Sequence, residues 1–128
     1  MPIVKHNPQG VFPPYENYSH AVEVTGESRI LFISGLNGYE ADGKTMPESF
    51  TEQADLVWGH IGAILRSAGM DYENIISLRS YLSDPAFREE NNRTSMRYLG
   101  ANKPSWTVIC CRLLESKWKL EIEAVAAV

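Results

Sequence analysis

The chain lacks any apolar run near the roughly 20 residues a membrane-spanning helix requires. Its opening, Met1-Pro2-Ile3-Val4-Lys5-His6, has neither the charged start nor the apolar middle of a signal peptide, which sets the expectation of a cytoplasmic protein without a membrane partner. Clustered lysine and arginine are also missing. With a formal net charge of -4 there is no footprint for a phosphate backbone, so nucleic acid is disfavoured as a partner. Cysteine is scarce. The only two, Cys110 and Cys111, are adjacent, which excludes both a disulfide framework and a CxxC metal or redox motif and predicts two buried thiols on opposite faces of a strand. No His, Asp and Glu set has metal-ligand spacing, no glycine-rich phosphate loop occurs, and no Ser or Cys sits in a nucleophile turn. Neither a metal nor a cofactor is expected.

What is present suffices for one domain over residues 1–128, because 44% hydrophobic content at this length can bury a core. Residues 7 to 17, rich in Asn, Pro and Gly, predict an irregular surface segment. Tyr18 to Val24 and Arg29 to Ser34 read as strands joined in a hairpin by Thr25-Gly26-Glu27-Ser28, and Leu36 to Lys44 as a loop long enough to rim a pocket. Thr45-Met46-Pro47-Glu48 resembles a capping box, and a helix to Ala68 follows in which Phe50, Ala54, Val57, Ile61, Ile64, Leu65 and Ala68 form an apolar stripe.

Ile75 to Leu82 alternates as a strand, and Asp84-Pro85 opens a second helix to Leu99. Asn91 lies on the better stripe of that helix, where its amide requires hydrogen-bond partners, in the first instance a neighbouring backbone group. Pro104 to Leu114 and Trp118 to Ala124 close the chain as a second hairpin, the latter run alternating so that Lys119, Glu121 and Glu123 share one face. The whole predicts an α+β fold: a mixed sheet of about six strands with two helices packed on one face.

Several segments resemble the YjgF/RidA family, the reactive intermediate deaminases, in order and nearly end to end. They are Tyr18-Ser19-His20-Ala21-Val22, Phe32-Ile33-Ser34-Gly35, Glu52-Gln53-Ala54, Ala68-Gly69, Tyr81-Leu82-Ser83-Asp84, Phe87 with Asn91, and Glu121-Ile122-Glu123-Ala124-Val125-Ala126. The resemblance implies a chorismate-mutase-like fold, a homotrimer with clefts between subunits, and cofactor-independent hydrolysis of small enamine or imine acids to a keto acid and ammonia. It assigns Glu121 as the water-positioning glutamate and Tyr18 as the cleft tyrosine, the two catalytic residues. Ser34, Gly35, Asn91, Trp106 and Thr107 fall on substrate-binding positions.

One position departs from the pattern. Where the deaminating branch reads Pro-Ala-Arg, this chain has Pro104-Ser105-Trp106, so a planar bidentate cation is replaced by an indole with one N–H donor. Val108 and Leu36 likewise replace a cysteine and a glutamine common in the family. Two readings stay open: a deaminase or related hydrolase with an altered substrate, in which Trp106 stacks on the ligand, and a non-catalytic trimer that binds a small metabolite, in which Trp106 is packing. The ribonuclease or translation-inhibitor activity of some relatives is a remote third. Lys103, Arg79 and His20 are the candidate replacements for the missing cation, His20 being also a candidate acid/base or a structural group.

Overall fold

The computed structural model describes residues 3–10, 13–14, 17–26 and 28–128. The expectations that touch Met1, Pro2, Val11, Phe12, Tyr15, Glu16 and Glu27 lie outside those residues. In chain order the elements are β1 (Ile3–His6), β2 (Ala21–Val24), β3 (Ile30–Leu36), α1 (Phe50–Ser67), β4 (Ile75–Leu82), α2 (Arg88–Leu99), β5 (Ser105–Cys110) and β6 (Leu120–Ala127). Short 3-10 turns at Tyr72–Asn74 and Pro85–Phe87 precede β4 and α2.

Among the described residues the strands form a two-stranded ribbon, β1-β2, and a four-stranded mixed sheet ordered β3-β6-β4-β5. Among the described residues neither expected hairpin forms. β2 pairs with the N-terminal strand β1, which the sequence reading missed, while β3 pairs with β6. At the other end β6 runs antiparallel between β3 and β4, and β5 lies parallel to β4 at the sheet edge. The reason is burial: Leu120, Ile122, Ala124 and Ala126 of β6 are all buried, and a central strand covers them more completely than an edge hairpin would. β4 follows the expected alternation from Leu78 onward, with a register shift between Ile75 and Ser77 that turns Ile75 into the core in place of Ile76.

Both helices cover one face of the sheet. α1 buries Phe50, Ala54, Val57, Ile61 and Leu65 as expected, and Trp58 besides, whose ring stacks on Tyr98 of α2 at 5.6 Å. Its N-cap is Ser49 rather than Thr45: Ser49 Oγ accepts from the Glu52 N–H at 3.1 Å. Thr45 is engaged elsewhere, its hydroxyl donating to Asp42 at 2.6 Å, and this bond with the Thr45 and Lys44 backbone N–H groups holds the Asp42 carboxyl down at about 2. The Asp84 carboxylate accepts from the Ala86 N–H as predicted, but what it caps is the 3-10 turn Pro85–Phe87; α2 itself begins at Arg88, after Phe87, without a side-chain cap.

Gln53 ties α1 to the approach of β6. Its amide nitrogen donates to the Pro47 and Lys117 carbonyls at 2.8 and 3.1 Å, and its oxygen accepts from the Lys119 N–H at 3.0 Å. The side chain is buried and all its strong groups are matched, so it fixes where β6 begins.

Candidate active site

The outer face of the sheet carries Ser34 on β3, Glu121 and Glu123 on β6, Arg79 and Tyr81 on β4, and Thr107 on β5. A register shift between Ile33 and Leu36 interrupts the β3-β6 ladder where Ser34 and Gly35 lie. Glu121 uses the gap: a Cβ built on Gly35 would meet Glu121 Oε2 at 2.2 Å, so the carboxylate rests against the glycine backbone and needs a residue without a side chain there. Asn37 steadies it, its amide nitrogen donating to the Leu120 carbonyl at 3.2 Å and to Glu121 Oε1 at 3.4 Å. The sequence reading missed Asn37 as a site residue. Its Asn-Gly pair carried only a loop signal.

Arg79 lies on the same face in a hollow of about 280 Å³ with Ser34 and Glu123. Its guanidinium is 3.9 Å from Glu123 Oε1, and Tyr81 donates its hydroxyl to the same oxygen at 2.5 Å, a bond that raises the tyrosine pKa. Thr107, exposed, is paired in register with Arg79.

Trp106 faces the opposite way. It is 9% exposed, belongs to the core, and spends its N–H on Ser80 Oγ at 3.0 Å. The uncovered flank of its ring borders a pocket of about 660 Å³ between β5 and α2, into which Tyr18, Val108, Arg88, Asn92 and Met96 also face. Tyr18 meets the His20 ring edge-on at 5.6 Å. Lys103 lines neither cavity; its carbonyl accepts from Ser19 Oγ and Lys5 Nζ. Arg88 and Asn92 were missed, because polar residues in the first turns of a weakly amphipathic helix read as solvated surface.

Asn91 is buried on the inner face of α2, with its amide nitrogen unmatched by any described residue, contrary to the expectation of a backbone partner. The carbonyls beside it are engaged in the helix's own i to i−4 bonds. The cysteines also depart from expectation: Cys110 is exposed on the pocket wall and Cys111 is half-buried. Within one chain, then, Ser34, Gly35 and Glu121 come together, Tyr18 and Trp106 come together, and the two groups occupy opposite faces of the sheet. Among the described residues no group of His, Cys, Asp and Glu could hold a metal ion, and no helix is long and apolar enough to cross a membrane.

A family model described as endoribonuclease L-PSP matches residues 10–128. A RutC family protein of Aquifex aeolicus is 34% identical over 115 residues, which cover 88% of this chain and 90% of that protein. The 2-iminobutanoate/2-iminopropanoate deaminase of Capra hircus is 31% identical over 110 residues, 85% of this chain and 78% of its own. Among solved structures, the Rid-family protein YyfB of Yersinia pestis, described as of unknown function, superimposes with a TM-score of 0.87 at 27% identity, covering 100% of both chains.

Proposed function

Because this chain belongs to the YjgF/RidA family and has its chorismate-mutase-like α+β fold, we propose that it is a homotrimer whose intersubunit clefts hydrolyse an imine or enamine without a cofactor, in a cytoplasmic setting. The observation that carries this reading is the Glu121 carboxylate, kept against Gly35 at the break in the β3-β6 ladder and oriented by Asn37. Assembly is supported by the open face of the sheet, where Phe32 is 77% and Ile109 46% exposed, more apolar surface than one chain needs to leave in water. A second subunit across that face is what would bring one chain's Glu121 to another chain's Tyr18.

The chemistry asked of these residues is modest. Glu121 accepts a proton from water as the oxygen bonds to the imine carbon and the nitrogen takes up a proton, giving a carbinolamine. The glutamic acid returns its proton to the nitrogen, the C–N bond breaks, ammonia leaves, and the hydroxyl proton is released as the carbonyl forms. Water and imine are consumed; ketone and ammonia are produced. An enamine enters after tautomerising to the imine. Tyr18, at the pocket wall, is positioned to hydrogen-bond the substrate, and Ser34, Gly35 and Thr107 line the approach on the opposite face.

Substrate preference should differ from that of the relative named for 2-iminobutanoate and 2-iminopropanoate, since Trp106 offers no carboxylate fork. The same burial of Trp106 favours the second reading, a metabolite-binding trimer without turnover. An acidic chain of net charge -4 gives ribonuclease activity no support.

Imino acids generated in place by an amino-acid oxidase separate the two readings. The hydrolytic reading expects keto acid release faster than spontaneous hydrolysis, and a fall of about 10²- to 10⁴-fold in Glu121→Gln with the melting temperature nearly unchanged. Absence of any acceleration across small, branched and aromatic imino acids would favour the binding protein. A clearly lowered melting temperature in Glu121→Gln would make the carboxylate structural.

A further inference from the structure

We infer that Arg88 is the anion anchor of this site and that the preferred ligand is an amphipathic carboxylate, a 2-imino acid with an aromatic or bulky apolar side chain. The inference rests on the proposed imine chemistry for the word "imino" alone; the binding preference follows from the pocket.

Trp106 cannot take over the task of the arginine it replaces, because its single donor already goes to Ser80 and its ring is held in the core. The cation therefore has to come from elsewhere. Arg79 is committed to the other face beside Glu123, and Lys103 lines neither cavity. Arg88 is the one charged side chain among the described residues that border the pocket of Tyr18 and Trp106. Its guanidinium makes no ion pair or hydrogen bond with a described residue, whereas Arg93 and Arg97 on the same helix are engaged with Glu90 and Asp55. An unengaged guanidinium at a pocket wall presents a planar fork suited to a carboxylate.

Size and lining decide the rest of the ligand. A cavity of about 660 Å³ is far more than a three- or four-carbon acid fills, and it falls in the range of about 300–1,000 Å³ typical of sites for larger molecules. Met96 on the same helix as Arg88, and Trp106 and Val108 on β5, supply the apolar lining, of which Met96 and Val108 leave apolar surface uncovered. An acid with a flat or branched apolar body would cover that surface while its carboxylate reached Arg88. Val108, where the family commonly carries cysteine, adds to the apolar wall.

The test measures binding of stable keto acids by calorimetry, so it does not depend on turnover. The probes are phenylpyruvate, 2-oxobutanoate and the neutral ketone phenylacetone, titrated into wild type, Arg88→Ala and Arg88→Lys. Phenylpyruvate should bind wild type at least about tenfold more tightly than 2-oxobutanoate, and Arg88→Ala should weaken phenylpyruvate by about ten- to a hundredfold. Arg88→Lys should recover part of the loss. Phenylacetone should bind wild type and Arg88→Ala alike, which also shows that the variant is folded. Unchanged phenylpyruvate affinity in Arg88→Ala, equal affinity for 2-oxobutanoate, or no binding of phenylpyruvate to wild type would each overturn the assignment. A protein that binds phenylpyruvate through Arg88 but hydrolyses no imine would instead refute the deaminase reading and leave Arg88 in its role.

Discussion

A single methyl group on Gly35 would lie 2.2 Å from Glu121 Oε2, so the two residues form one unit: a strand break that makes room and a carboxylate that fills it. Gly35→Ala should push the carboxylate off its place and lower kcat/KM by about ten- to a hundredfold, at a stability cost of about 1–3 kcal/mol. Steady-state kinetics beside a thermal melt would check this, and unchanged kinetics would mean that Glu121 does not act from its position against Gly35. At this scale the sequence was legible where a motif keeps residues close together, as with Ser34-Gly35, whereas the meeting of Glu121 with that pair depends on β3 lying beside β6. It was not legible for Trp106, whose place in the core depends on β5 lying beside β4, or for Arg88. An arginine just after a helix start looks like ordinary surface charge until the topology lays β5 alongside it.

Among the elements, both helices and β4 could be read from periodicity and caps, since each is a local pattern. Pairing could not. Neighbouring strands suggested hairpins, yet β6 enters between β3 and β4, a choice made by the fully apolar inner face of β6 and invisible to local turn chemistry. The start of α1 was displaced for a related reason: Thr45…Glu48 and Ser49…Glu52 have the same capping spacing, and Asp42 takes the Thr45 hydroxyl. Gln53 links these elements, because it holds the Lys117 and Lys119 backbone just ahead of β6. Gln53→Leu should destabilise the protein by about 2–4 kcal/mol, leaving two carbonyls and an N–H unmatched in the interior. Denaturant unfolding gives the number. A loss below about 0.5 kcal/mol would show that water or a shifted backbone replaces the clamp.

For the whole molecule, the separation of Tyr18 and Trp106 from Ser34, Gly35 and Glu121 is the decisive feature. One chain places the two groups on opposite faces of its sheet, and in the proposed trimer a second copy supplies the missing half of each cleft. The measurement that tests this most directly is complementation between Tyr18→Phe and Glu121→Gln, each expected to be inactive alone, denatured together in equal amounts, refolded, and assayed for imine hydrolysis as trimers confirmed by light scattering. If each cleft takes Tyr18 from one subunit and Glu121 from its neighbour, random assembly leaves about one cleft in four with both residues intact, so the mixture should regain about a quarter of wild-type activity. A mixture no more active than either variant alone, or a wild type that stays monomeric, would contradict the shared site.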